Sequence, residues 1–319
     1  MYKAVITDFG LETPDIEGPI LQAAGADLIR GRCKTPEDII AAAADADVIM
    51  TGFAPMNAKV IGALTKAKAI VRYGIGVDSV DIEAAAKKGI PVCNIPDYCI
   101  NEVADQTLAL MLSLTRQIVP NWDVMRKGEW KLALPREYTR CLRDMTVGLV
   151  AFGRIAREVA SRLQPFRCKV LVFDPVVDPA VIKQAGCAPA TLDELLATSD
   201  LVSMHCPSTA KTRGMINKDT LARMKPQAYF VNSSRGDLVN YPDLIAALNS
   251  GHLAGAGLDV TNPEPIPKDS PLLAMKNVVI SPHCASVSER ALFTLRSSVT
   301  NTAAAAVRGE RPPNIVNGL

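Results

Sequence analysis

Short apolar runs alternate with amphipathic stretches along almost the whole chain, and this rhythm restricts the fold more than any other feature. Residues 4–7, 48–50 and 69–71 read as buried strands, and residues 36–44, 57–64 and 82–88 as the helices between them. Continuously apolar strands separated by helices are covered on both faces. The pattern therefore predicts parallel sheets flanked by helices. A chain of 319 residues has room for about two such domains.

The rhythm breaks once, at Ile95-Pro96-Asp97. A long, largely buried helix is expected over residues 101–118, apolar at Val103, Leu108, Leu110, Met111, Leu112 and Leu114, with Asn101 as its N-cap. Residues 119–143 hold both tryptophans, Trp122 and Trp130, and fit no βα unit. Packing against another subunit and packing within the same chain are both open for this stretch. A second βα series starts at Thr146, with strands expected at 146–150, 170–173, 201–204, 228–231, 255–258 and 278–280. The last helix, 286–308, ends before Pro312-Pro313 and is expected to return to the first domain, which otherwise lacks a closing helix. The fold class is thus α/β, with one doubly wound parallel-sheet domain (residues 1–99 plus 291–319) interrupted by another (residues 100–290).

Composition excludes several functions. The net charge is +2, too small for a field directed at nucleic acid or an acidic membrane. No apolar run reaches the length of a membrane span. The N-terminus enters a strand-like run without a signal-peptide pattern, so a cytoplasmic location is expected. Eight cysteines are scattered without a C-x-x-C pair, as for reduced thiols. Three histidines, His205, His252 and His283, are too few for a convincing zinc site, and no metal is expected.

The first strand of the second series runs into Ala151-Phe152-Gly153-Arg154-Ile155-Ala156, followed by a helical pattern at Ile155, Val159, Ala160 and Leu163. This is similar to the Rossmann fingerprint, with alanine in the first and third glycine positions. Gly153 stands where the backbone must approach a pyrophosphate, and the helix N-terminus supplies N–H groups and partial positive charge. Asp174, at the end of the next strand, is placed to accept hydrogen bonds from the adenosine ribose. A carboxylate there repels a 2′-phosphate, which favours NAD over NADP. Alanine at position 151 departs from the pattern, because the first glycine makes the tight turn.

Three later segments sit just beyond strands: Asn232-Ser233-Ser234-Arg235-Gly236, Asp259-Val260-Thr261-Asn262-Pro263-Glu264-Pro265 and Ser281-Pro282-His283-Cys284-Ala285. Ligands of open α/β sheets gather beyond the carboxyl ends of strands. With Gly74-Ile75-Gly76-Val77-Asp78, the degenerate glycine loop and the ending Arg308-Gly309-Glu310-Arg311-Pro312-Pro313, the chain resembles the D-isomer-specific 2-hydroxyacid dehydrogenases over nearly its whole length.

The resemblance implies a Rossmann NAD-binding domain inserted within a flavodoxin-like substrate domain, and hydride transfer between NAD(H) and a D-2-hydroxy acid/2-oxo acid pair. It implies that Arg235 binds the substrate carboxylate and polarises the keto oxygen. It makes His283 the proton donor and acceptor, and Glu264 the partner that orients His283 and favours its imidazolium form. The backbone at Gly74, Ile75 and Gly76 would cradle the substrate carboxylate, with Phe53 and Tyr98 as pocket walls. Thr107, Phe152, Gly153, Arg154, Ile155, Asp174, Ser233 and Ala285 would contact NAD. Asp259 would hold the nicotinamide carboxamide, and His205, Cys206, Pro207 and Thr212 would line the adenosine side. Cys284 needs no nucleophilic role, because hydride transfer requires none.

Substrate choice is narrowed by departures from related patterns. Glu264 stands where a formate dehydrogenase is expected to have glutamine, and no lysine occupies the 74–76 loop as expected of a phosphite dehydrogenase. Thr51-Gly52-Phe53-Ala54 lacks the cation that phosphoglycerate dehydrogenases often carry there, and no added C-terminal regulatory domain is seen. A small unphosphorylated acid such as glyoxylate or hydroxypyruvate is therefore expected. Phosphoglycerate is the runner-up, because Arg72 and Lys59 could supply a phosphate site. Residues 72–106 are also similar to transcriptional corepressors of this family, a non-enzymatic alternative disfavoured by the intact Arg–Glu–His set. The family implies a homodimer through residues 101–143, and domain closure on hinges near 96–101 and 285–290.

Overall fold

The structure, a computed structural model, describes residues 1–9 and 15–319. It divides into two compact units, Met1–Tyr98 with Ser288–Leu319, and Cys99–Val287. Among the described residues no helix is long and apolar enough to cross a membrane, and no cluster of three or more His, Cys, Asp or Glu could hold a metal ion.

In the first unit the order is β1 (Tyr2–Ile6), α1 (Glu17–Ala23), β2 (Ala26–Arg30), α2 (Pro36–Ala43), β3 (Val48–Thr51), α3 (Ala58–Ala63), β4 (Ala69–Arg72), α4 (Ile82–Lys87) and β5 (Val92–Cys93). The sheet is parallel in the order β2-β1-β3-β4-β5, the flavodoxin-like winding. The second unit has α5 (Ile100–Thr115), α6 (Ile118–Met125), β6 (Thr146–Val150), α7 (Arg154–Leu163), β7 (Lys169–Phe173), α8 (Pro179–Gln184), β8 (Ala188–Pro189), α9 (Leu192–Thr198), β9 (Leu201–Met204), α10 (Lys218–Arg223), β10 (Ala228–Asn232), α11 (Tyr241–Asn249), β11 (Leu253–Leu258) and β12 (Val278–Ile280). Its sheet runs β12-β11-β10-β9-β6-β7-β8, all parallel. The order reverses between β6 and β9, which is the Rossmann switch point. The last helix, α12 (Glu289–Val307), belongs to the first unit.

The central strands are buried on both faces: every residue of β3, β9, β10 and β11 is buried. β2, β5 and β8, which the periodicity does not predict, are all edge strands. β2 reads buried, exposed, half-buried, exposed, half-buried, and β5 and β8 have two residues each. β2 is half exposed and carries Asp27 and Arg30, and strands of two residues are too short to show a period, so their patterns are faint. The β5 edge is itself covered by the chain's end, where Ile315 bridges Cys93 and the Val316 N–H donates to the Val92 carbonyl.

Two expectations about the long helix need correction. Asn101 is not its N-cap. The helix starts at Ile100, with Cys99 at the cap position and no side-chain cap. The Asn101 Oδ1 instead accepts from Arg162, 2.9 Å away, which also pairs with Asp105. This contact with α7 recruits the amide that would otherwise cap. The helix also stops at Thr115 rather than 118, because Gln117 adopts a left-handed conformation (φ 55°). Its amide is held by the carbonyls of Leu114 and Tyr138. In the stretch that follows, Trp122 and Trp130 are 62% and 91% exposed, so packing within the chain does not cover them.

The first unit is tied together by a buried ion pair. Leu295, Val299, Ala303, Ala306 and Val307 of α12 pack against β1, β3 and β4 residues. At the α12–α1 contact Arg296 gives Glu17 two hydrogen bonds, Nε to Oε1 at 2.7 Å and Nη2 to Oε2 at 2.6 Å. Both side chains are essentially inaccessible. Burial pushes the Glu17 carboxyl up, but the hydrogen bonds from Arg296 and Arg30 outweigh it and hold the group below its ordinary value. Arg296→Met leaves the buried Glu17 with Arg30 alone, 3.0 Å away, and should destabilise this unit by about 3 kcal/mol, the low end for breaking a buried pair, read as lost hydrogen-exchange protection in α12 and β4. Because the folded carboxyl is depressed, its contribution is complete above the ordinary glutamate range and is lost progressively as pH falls below that range through the lower folded value. Glu17→Gln should therefore flatten the acid dependence of that protection; an unchanged acid dependence would exclude Glu17 as its source.

Candidate functional site

Arg235, Glu264 and His283 come from three loops at the carboxyl ends of β10, β11 and β12, all within the second unit. β10 ends in Asn232, whose side chain folds the next turn: it accepts the Ser234 N–H at 3.0 Å and donates to the Arg235 carbonyl at 2.8 Å. Gly236 lets this loop meet the next. A Cβ there would lie 2.0 Å from the Thr261 carbonyl oxygen, so any side chain would push the Arg235 and Glu264 loops apart. Glu264 is turned by accepting the Thr261 N–H through Oε1 at 3.0 Å. Its other oxygen lies 2.7 Å from His283 Nδ1. A carboxylate only accepts, so Nδ1 carries the proton of this bond and Nε2 is left for a substrate. Burial pushes the Glu264 carboxyl up, but the hydrogen bonds from His283 and Thr261 and the nearby charge of Arg235 outweigh it and leave it below its ordinary value.

Asp259 is 1% exposed. Its Oδ1 accepts from the Ser281 hydroxyl at 2.6 Å and the Cys284 N–H at 3.1 Å, and its Oδ2 accepts the Ala285 N–H at 3.0 Å. The carboxylate expected to meet the nicotinamide is thus also the anchor of the His283 loop. Burial and Asp259 push the Cys284 thiol up, which keeps it protonated and unreactive.

The glycine loop lies at the switch point. Ala151 sits at φ 79°, the left-handed turn that glycine usually makes, with its N–H on the Phe173 carbonyl at 2.7 Å. Gly153 opens α7 without a side-chain cap, and a Cβ on it would meet nothing within 4 Å. Arg154 and Ile155 begin the helix beside that open space. Asp174 Oδ2 accepts the Phe152 N–H at 2.7 Å, and Oδ1 accepts those of Val176 and Val177. Burial raises this carboxyl, the three N–H groups outweigh it, and the net shift is downward, so it stays anionic. On the neighbouring β9 edge, desolvation pushes His205 down to about 4, leaving a neutral imidazole 3.0 Å from Ser203 Oγ. Cys206 is buried and Pro207 exposed. Thr212 folds its own loop by donating to the Pro207 carbonyl at 2.6 Å. Thr107 and Ser233 share a hydrogen bond of 2.6 Å, and Ala285 is buried.

Comparison with known proteins decides what this arrangement belongs to. The model of the D-isomer specific 2-hydroxyacid dehydrogenase NAD-binding domain matches residues 108–285. A glyoxylate reductase of Korarchaeum cryptofilum is 39% identical over 82% of this chain and 80% of its own. A D-3-phosphoglycerate dehydrogenase of Mycobacterium bovis is 37% identical over 88% of this chain, which spans 53% of that longer relative. Among solved structures, D-lactate dehydrogenase from Aquifex aeolicus, complexed with NAD and lactic acid, superposes with a TM-score of 0.86 at 28% identity, covering 96% of each chain. The chain belongs to the D-isomer specific 2-hydroxyacid dehydrogenase family. It is an NAD-dependent oxidoreductase acting on a small 2-hydroxy acid/2-oxo acid pair.

The dehydrogenase's own residues fit NAD. An uncapped helix N-terminus faces open space at Gly153, where a diphosphate would meet free N–H groups. Asp174 keeps acceptor capacity for ribose hydroxyls beyond its three N–H partners. In the first unit, Gly74 has φ 142°, and a Cβ on it would fall 1.6 Å from Arg72 Nη1, so only glycine allows Arg72 its place. The Ile75 carbonyl is held by Asn94 Nδ2 at 2.6 Å, which turns the Gly76 N–H to the opposite side of that trans peptide. Phe53 is 67% exposed, with the Arg72 guanidinium 5.5 Å from its ring centroid. Gln106 and Ser281 escape sequence reasoning, because an amide and a hydroxyl have no motif spacing of their own.

Alanine in a left-handed turn costs about 1–2 kcal/mol, and glycine's greater unfolded freedom takes back about 0.5–1. Ala151→Gly should therefore raise stability by a net of about 0.5–1 kcal/mol, measured as a higher urea-unfolding midpoint. A lower midpoint would mean that the alanine methyl makes contacts worth more than the strain.

Proposed function

We propose that this dehydrogenase reduces a short unphosphorylated 2-oxo acid, such as glyoxylate or hydroxypyruvate, to its D-2-hydroxy acid, and catalyses the reverse. The observation carrying the reading is the 2.7 Å His283–Glu264 pair beside Arg235, on loops interlocked at Gly236. Arg235 takes the substrate carboxylate and keto oxygen. His283 Nε2–H gives its proton to the developing alkoxide, and takes it back in oxidation. Glu264 holds the ring through Nδ1 and balances the imidazolium charge. In the first unit, the N–H groups of Ile75 and Gly76 are suited to a carboxylate and Phe53 to a short side chain. NAD, when bound, supplies or accepts the hydride. Thr107, Phe152, Gly153, Arg154, Ile155, Asp174, His205, Cys206, Pro207, Thr212, Ser233, Asp259 and Ala285 form its cleft.

The loop after β3 argues against a phosphorylated substrate. Its N–H groups at Gly52, Phe53 and Ala54 all donate to the Asp8 carboxylate, at 2.8, 2.6 and 2.9 Å. Donors suited to cradling a phosphate already hold an anion, and that anion would repel one. Lys59 is engaged with Glu37 at 2.6 Å.

The test is NADH and NADPH oxidation with glyoxylate, hydroxypyruvate, pyruvate, phenylpyruvate, 2-oxoglutarate and phosphohydroxypyruvate. Turnover with NADH on a short acid supports the proposal; preference for phosphohydroxypyruvate would replace it. Tight NADH binding without turnover on any would favour the corepressor-like reading. His283→Ala should slow reduction by about 10²–10⁴-fold. Reduction takes up a proton and oxidation releases one, so falling pH should favour reduction.

We also propose a homodimer through residues 101–143, supported by the exposed apolar surface of Ile118, Val119, Trp122, Met125 and Leu132. Trp122→Glu should shift the sedimentation coefficient to that of a monomer; an unchanged value places any contact elsewhere. A reducing, cytoplasmic setting agrees with eight free thiols.

A further inference from the structure

We propose that Gln106 is a positioning residue for His283, acting through the Ser281 hydroxyl and the Asp259 carboxylate. The inference rests on His283 being the proton donor and acceptor.

Gln106 Nε2 lies 3.0 Å from Ser281 Oγ, and Ser281 Oγ lies 2.6 Å from Asp259 Oδ1. The direction of this chain follows from proton inventory. An anionic carboxylate only accepts, so the single Ser281 proton goes to Asp259. Ser281 can then only accept from Gln106, which fixes the amide with its NH₂ toward the hydroxyl. Asp259 passes the constraint on. Its carboxylate holds the N–H groups of Cys284 and Ala285, and its backbone carbonyl accepts the His283 N–H at 2.7 Å. The residues on both sides of His283 therefore hang from one buried side chain.

This restraint has something to resist. His283 adopts φ 50°, a left-handed conformation unfavourable for a side chain of its size, and such a conformation persists only where its surroundings over-determine it. Within the chain Gln106–Ser281–Asp259, only Gln106 comes from outside the sheet's carboxyl-end loops. It stands on α5, a helix of 16 residues packed against β10, β11 and β12. The next residue, Thr107, bonds Ser233, two residues before Arg235. Its own proton goes to the Val103 carbonyl at 2.7 Å, so Ser233 donates. Two successive residues of one helix thus brace the loop of Arg235 and the loop of His283.

Loss of the Gln106 donor should let the imidazole drift, and small misplacements of an acid–base group cost rate rather than binding. The experiment measures single-turnover reduction at saturating NADH, with steady-state kcat and KM. The variants are Gln106→Met (similar volume, no donor), Ser281→Ala and the double. Each single variant should lower kcat about tenfold while the KM for NADH changes less than about twofold, and the double should be no slower than the slower single. If the methionine variant does not fold, Gln106→Glu serves: it keeps the shape, lacks the N–H donor and competes with Asp259 for the Ser281 proton. It too should be about tenfold slower. Wild-type kcat in the folded Gln106 variant overturns the proposal, as does multiplication of the two single effects in the double. Full activity in His283→Ala would instead overturn the underlying reading, so the two failures are told apart by different variants.

Discussion

A carboxylate removed from water must have its lone pairs satisfied by the protein around it, and at Asp259 this requirement organises the chemistry of the second unit. The donors that satisfy it are the Ser281 hydroxyl and the backbone N–H groups of Cys284 and Ala285. Meeting that need folds the 281–285 loop into one shape, with His283 at its tip. The ring then finds Glu264, whose loop is pressed against the Arg235 loop because Gly236 has no side chain. One burial requirement and one missing Cβ therefore bring three distant stretches of sequence to a common point. The parallel sheet makes this possible, since it delivers consecutive strands to the same edge with their loops side by side.

The first unit uses a related device for different ends. Glu17 and Arg296, 279 positions apart in sequence, lock the last helix onto the first. Asp8 gathers the three N–H groups of the loop bearing Phe53. Those donors are thereby already occupied by an anion. Arg72 lies near the same loop, with its guanidinium 5.5 Å from the Phe53 ring centroid and filling the space Gly74 leaves.

How much of this was legible from residues alone depends on how local the cause is. Central strands announced themselves, because burial on both faces demands unbroken apolar runs. The edge strands β2, β5 and β8 did not, being short or half exposed. Asn101 looked like a cap because caps are read locally, but an arginine from α7 claimed its side chain. The positive φ of Ala151 was foreshadowed by its place in a glycine pattern. The convergence of the Arg235, Glu264 and His283 loops was legible because each follows a strand in a recognisable motif. Gln106 and Ser281 were not, since their meaning lies in a contact across 175 positions.

By itself the sequence determined the class of fold, the order of the βα units, the dinucleotide loop and the three strand-end segments that carry Arg235, Glu264 and His283. These follow from periodicity and residue type, which act over a few neighbours. Only the tertiary structure decided that Asp259 anchors the histidine loop, that Asp8 occupies the donors near Phe53, and that the tryptophans of the 119–143 stretch stand exposed. Such facts depend on which polar groups are buried together. Which distant groups come to lie together is a property of the folded whole, and no local pattern encodes it.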